Sequence, residues 1–169
     1  MSLEVIINYT EKSSESELDK TLKSIQKFNV NPTTVSVCVH PPHYFRNKDR
    51  FRRKLNFYFG DNVRWNMHLL KDSLAVTNVI NFAAEKSKDK YYLFMNCGYE
   101  IKDDIVDNIK EKDVFFIDPE DDQYNGFLCN VDIHKSLLGF GEEYTLMQKV
   151  EHKIEMMEEA IRNAKRKFA

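Results

Sequence analysis

Tyr91-Tyr92-Leu93-Phe94-Met95-Asn96-Cys97-Gly98-Tyr99-Glu100 decides the reading of this chain. Five apolar or aromatic residues follow one another without a charge, with Lys88, Asp89 and Lys90 before them and Lys102 and Asp103 after. A short apolar run bounded in this way reads as a strand buried on both faces. It stops at Asn96-Cys97-Gly98, small and polar residues at the carboxyl end of the strand, which is where open α/β sheets place their ligands.

Working back from this strand, residues 73–86 read as a helix that Asp72 could cap, with Leu74, Val79, Phe82 and Ala83 facing inward. Val63, Trp65, Met67 and Leu69 alternate with polar residues, the pattern of a half-buried or edge strand. Residues 47–59 read as a basic helix ending at Gly60, and His40-Pro41-Pro42-His43 breaks the strand that precedes it, residues 34–39. Ser14 and Glu17 have capping-box spacing and open a helix carrying Leu18, Leu22, Ile25 and Phe28 on one stripe. Residues 4–9 form the first strand. Strand, helix and strand at this spacing make a βαβ unit with a right-handed crossover.

Working forward, residues 103–110 read as a short helix, 114–117 as a strand, 118–125 as an acidic loop, 126–131 as another strand and 133–138 as a helical turn. A long amphipathic helix follows from about Thr145, with Met147, Val150, Ile154, Met157, Ile161, Ala164 and Phe168 on one stripe. That helix could pack on its own sheet or on the partner in an oligomer. The sum is one α/β domain over residues 1–169: a mainly parallel, mixed central sheet with helices on both faces.

The composition is that of a globular domain, 42% hydrophobic and 31% charged. A formal net charge of −2 gives no support to nucleic acid as a partner, although the basic run around Phe51, Phe57, Tyr58 and Phe59 has the mixture that such surfaces use. No apolar run reaches the roughly 20 residues of a membrane span, and Glu4 interrupts the start too early for a signal peptide. Cys38, Cys97 and Cys129 are odd in number and lack CxxC spacing, which suits reduced thiols in a cytoplasmic protein. Cys38, His40 and His43 cluster, but a fourth zinc ligand is missing.

The order of elements resembles the nucleotide-sugar-binding half of a GT-A-fold glycosyltransferase, most like family 2. Val5-Ile6-Ile7-Asn8-Tyr9-Thr10 and Leu22-Lys23-Ser24-Ile25 are similar to the family's opening strand and its L-x-x-S-I helix. Asn78 is similar to the asparagine of the A-R-N helix, and residues 90–98 to the strand that ends in D-x-D. Leu137-Leu138-Gly139-Phe140-Gly141-Glu142-Glu143 and Glu151-His152 are similar to the I-G-G-F-D-E segment and the E-D pair. The resemblance implies a Rossmann-like domain that binds a UDP- or GDP-linked sugar, with Tyr9, Thr10, Asn78, Asn96 and Gly98 at the donor and Glu151 as the base that deprotonates an acceptor hydroxyl of unknown identity.

The departures from the family lie at its chemistry. Asn96 and Gly98 replace the two metal-binding aspartates of D-x-D, Thr77 replaces the basic residue before Asn78, and His152 replaces the acid after Glu151. Val39-His40-Pro41 stands where an aspartate reads the base. GT-A enzymes commonly neutralise the departing diphosphate with Mn²⁺ or Mg²⁺ on carboxylate oxygens. Here Asn96 is left as a weak candidate for holding Mn²⁺ or Mg²⁺, with Asp103 and Asp104 nearby in sequence but placed at the start of the next helix. Without metal, the cations from Arg46 to Lys54 are the nearest alternative supply, unless they form a solvated helix face. The same residues are therefore open to two readings: a metal-independent transferase, or a GT-A-like module that has lost catalysis and serves in binding or assembly.

Overall fold

The computed structural model describes residues 2–27, 30–41, 48–101, 114–116 and 123–137. The long C-terminal helix, the 103–110 helix, His43, Arg46, Glu142, Glu143, Glu151 and His152 lie outside these residues.

The central strand is β4, Tyr91–Asn96 in the numbering used below, one residue longer than the apolar run predicts. The chain enters through β1 (Leu3–Tyr9), α1 (Glu15–Lys27), β2 (Thr34–Val39), α2 (Lys48–Phe59), β3 (Arg64–Leu69) and α3 (Val76–Lys86). It leaves β4 for β5 (Val114–Phe116), β6 (Phe127–Asn130) and α4 (Val131–Leu137). The sheet has six strands in the order β3-β2-β1-β4-β6-β5. The first four are parallel, and β6 runs antiparallel to both β4 and β5. The sheet is thus mixed, with its parallel half at the amino-terminal side.

Side-chain parity divides the core. Leu3, Val5, Ile7 and Tyr9 of β1 pack with Leu18, Leu22 and Ile25 of α1 and Phe51 and Leu55 of α2. Ile6 packs on the other face with Cys38, Tyr92, Phe94 and the α3 residues Val79, Ile80, Ala83 and Ala84. The period of two along the strands and the stripes along the helices therefore place α1 and α2 on one face and α3 on the other. The serine half of the capping box forms: the Glu17 amide donates to Ser14 Oγ at 3.2 Å, whereas Glu17 Oε1 accepts from the Ser14 hydroxyl at 3.2 Å and not from the Ser14 amide.

The start of α3 is a correction. It begins at Val76, not Ser73, and its N-cap is Ala75, with extended φ and ψ and no side-chain cap. Asp72 therefore does not cap the helix. A buried polar chain ties α3 to α4 and β4: Tyr92 Oη lies 2.7 Å from His134 Nδ1, and His134 Nε2 lies 2.9 Å from Asn81 Oδ1. The amide oxygen can only accept, so Nε2 carries the proton and Nδ1 accepts from the tyrosine. Burial pulls the His134 pKa down to about 4, so the ring is neutral.

Candidate functional site

The strand order places a topological switch point between β1 and β4. From β1 the chain moves outward through β2 to β3, then returns by α3 to the opposite side of β1. Connections diverge to opposite faces there, and a crevice outside the carboxyl ends of β1 and β4 follows from that divergence. Asn8 and Asn96 are register partners at those ends.

The two asparagines are joined. Asn8 Nδ2 donates to Asn96 Oδ1 at 2.9 Å, and Asn8 Oδ1 accepts from His40 Nε2 at 2.7 Å. Asn96 Nδ2 donates to the Gln123 carbonyl at 2.9 Å and to Asn125 Oδ1 at 3.2 Å, and the same oxygen takes the Asn96 backbone amide at 2.7 Å. A neutral rail thus crosses from β2 through β1 and β4 to the turn before β6. Asn8 is 1% exposed and His40 3%, so desolvation holds the His40 pKa below its ordinary value. The nearby Glu11 charge opposes that shift.

The rail explains how Asn96 is used. Its carbonyl oxygen accepts the Asn8 amide and its own amide donors are engaged, so it completes the sheet edge. Gly98 has φ +100°, the left-handed region that favours glycine. Its amide donates to Thr21 Oγ1 at 2.8 Å, and the Ile101 amide donates to Ser24 Oγ at 3.0 Å, which ties the turn after β4 down onto α1. A Cβ at Gly98 would stand 2.6 Å from Glu17 Oε2. The carboxylate next to this turn therefore comes from the first turn of α1. Cys97 between them is a thiol, pushed up to about 12 chiefly by burial.

These residues do not fit a divalent ion held as in a D-x-D site. Asn96 offers a neutral oxygen that is already an acceptor, Gly98 offers none, and Glu17 is engaged in its own helix cap. Among the described residues no group of three or more His, Cys, Asp or Glu is gathered where it could hold a metal. Cys38 and His40 of the sequence cluster are separated by their chemistry as well: the Cys38 thiol is pushed up to about 12 by burial, while His40 is spent on the rail.

The remaining sequence candidates fall as follows. Tyr9 is 4% exposed, with its ring in the α1-side core. Thr10 donates its amide to Ser13 Oγ at 2.9 Å and shapes the turn into α1. Asn78 is exposed in the first turn of α3, a turn that lacks acids. The helix starts on the carboxyl side of the sheet, so its positive end faces that side. The basic run on α2 is partly neutralised by α1: Arg50 lies 2.8 Å from Glu15, and Lys54 lies 3.1 Å from Asp19. Sequence reasoning missed Asn8 and Asn125 as site residues, and read His40 only in a zinc-like cluster and Glu17 only as a cap partner. The available signal was an asparagine at the same strand-end position in both central strands.

No family model matches the chain, and comparison with curated proteins finds no match. Solved structures do share its architecture. TarS 1–349 of S. aureus superposes with a TM-score of 0.56 at 15% identity, over 80% of this chain and 48% of its own. The glycosyltransferase GlyE in Streptococcus pneumoniae TIGR4 gives 0.56 at 12%, over 80% and 36%. HddC from Yersinia pseudotuberculosis gives 0.53 at 9%, over 84% and 86%. The fold is GT-A-like. This chain spans about half the length of TarS 1–349 and about a third of GlyE.

Proposed function

We propose that this chain binds a UDP- or GDP-linked sugar at the carboxyl edge of its sheet and acts as a metal-independent glycosyltransferase. One observation carries the reading: in a GT-A-like fold, the switch point between β1 and β4 is lined by the His40–Asn8–Asn96–Asn125 rail. A rail of satisfied amides gives the edge a fixed shape without charge. The donor diphosphate then draws its stabilisation from the first turn of α3, where Asn78 sits beside the positive end of the helix dipole.

In the transfer step, an acceptor hydroxyl oxygen bonds to the anomeric carbon and the bond from that carbon to the diphosphate oxygen breaks. The diphosphate leaves with the electron pair, and the hydroxyl proton goes to a carboxylate, for which Glu151 is the candidate. The soft thiols Cys38 and Cys97 are held protonated and take no part. Among the described residues no helix is long and apolar enough to cross a membrane.

A second reading is favoured by Gly98 and Glu17. The D-x-D position faces α1, and a module that binds or assembles without transferring would need no more than that. Thermal-shift titration with UDP- and GDP-sugars, with and without Mn²⁺, tests both. Donor binding that Mn²⁺ does not change supports the proposal, and no response across the panel overturns it. Glu151→Gln separates the two readings, because a transferase loses turnover and keeps donor binding while a binding module shows no turnover to lose.

A further inference from the structure

We propose that the amino edge of the sheet carries a second ligand site, which takes a small oxyanion: a phosphate monoester or a carboxylate. It lies at the opposite end of β1 from the rail, and it stands whether or not a nucleotide sugar binds there. Glu4 and Asn8 are four residues apart on one strand, about 13 Å.

The site begins with a charged residue where a core residue belongs. Glu4 is 4% exposed on β1, a central strand, and shares its parity with Ile6 on the α3 face. A polar row extends from it across the sheet: the Ser36 hydroxyl of β2 hydrogen-bonds its carboxyl, and Asn66 Nδ2 of β3 lies 3.4 Å from Ser36 Oγ. Helix α3 ends at Lys86, so it covers Ile6 and Cys38 and leaves the starts of the strands open. The result is a cleft of about 350 Å³ with Glu4 in its wall, within the range of small-molecule sites.

Its rim is cationic. Arg64, Lys86 and Lys88 line it against the single charge of Asp89, with His68 beside them. Among the described residues these three cations form no ion pair, and Lys86 Nζ rests 3.9 Å from the Phe82 ring centroid. Three cations that line one concave polar surface and form no ion pair among the described residues suit an oxyanion.

Glu4 suits this ligand in its protonated form. Burial, assisted by the Asp89 charge, raises its pKa to about 7, so near neutrality the carboxyl can donate to an oxyanion. The other groups facing it are Arg64, Lys86 and Lys88, His68, whose pKa burial and the Lys86 charge hold below its ordinary value, and the Cys38 thiol behind it. Retaining a costly buried acid in a cleft lined by cations is a mark of a working site.

Sulfate tests the proposal because it does not titrate in this range. The expected result in NMR titrations is saturable shifts at Glu4, Thr34 and Arg64, with affinity that falls from about pH 6 to about pH 8. The Arg64→Gln, Lys88→Gln double variant, altered only at exposed side chains, weakens binding about tenfold or more. Glu4→Gln keeps a donor, so it retains binding and loses the pH dependence. Glycerol phosphate and acetate at matched ionic strength then separate the two sources of the oxyanion. Absence of saturable shifts, binding unchanged in the double variant, or a pH dependence that survives Glu4→Gln would each overturn the site.

Discussion

The two ends of β1 bury polar residues on the same face and treat them in opposite ways. At the carboxyl end, Asn8 is neutral and meets a neutral histidine and a second amide, each donor facing an acceptor. At the amino end, Glu4 is buried too, but it meets one hydroxyl and the Asp89 charge, in the wall of a cleft that Arg64, Lys86 and Lys88 also line. A closed amide network costs little because its hydrogen bonds replace those lost to water. A buried carboxyl beside an acid has no such compensation, and the cost appears as a raised pKa. The first end is built as framework and the second holds a group under tension.

The sharpest way to break this contrast is Asn8→Ala, which strands His40 and the Asn96 oxygen together. The loss is expected to be about 3 kcal/mol in chemical denaturation. A loss below about 1 kcal/mol would show that water replaces the rail and that the edge is not preorganised.

Glu4→Gln probes the other end, and its sign is opposite. The folded-state pKa of about 7 exceeds the ordinary 4.5, so the folded chain takes up the proton more readily between those values. Glu4 therefore contributes most below about pH 4.5, and that contribution is lost as pH rises through about 7. The full shift is worth on the order of 3 kcal/mol, and a buried Gln amide gives part of this back. Glu4→Gln should stabilise the protein by about 2 kcal/mol at pH 8 and by little near pH 5. His134, depressed to about 4, has the opposite slope, but it is common to both proteins and cancels in the difference. Equal stability of the two proteins at pH 8 would mean that Glu4 is hydrated.

Gly98→Ala sharpens the comparison at the turn. The carboxylate of Glu17 is the end of a flexible chain and can swing aside, so the cost comes mainly from φ +100°, about 1–2 kcal/mol. Adding Glu17→Ala to this variant should recover little, whereas full recovery would assign the cost to the contact. Ser14→Ala, which removes the cap of α1, is the smallest expected effect at about 1 kcal/mol in thermal unfolding.

Much of this was legible in the chain. The apolar run at 91–95, the alternation at 63–69 and the Ser14–Glu17 spacing each report a local cause, and each element formed where its pattern lies. The start of α3 was misread because Asp72 and Ser73 look like a cap, whereas the helix begins at an alanine after an extended segment. The rail was hidden for a different reason. His40 reads locally as part of a proline-broken loop, and only the register of β2, β1 and β4 brings it to Asn8 and Asn96. Glu4 reads as an interruption to an apolar start, since no local pattern reveals that β1 becomes a central strand. Long-range pairing made both ends of β1 what they are.

That pairing also sets an order of events. Leu3 to Asn8 find their β4 partners only after α1, β2, α2, β3 and α3 have been made, since Tyr91 is the first of those partners. Until then β1 offers an unpaired, β-branched edge to any neighbouring chain, and closing so large a loop is slow. During synthesis on the ribosome, the strand that becomes the middle of the sheet is the one that waits longest, and a pause before residue 91 would leave it open to aggregation.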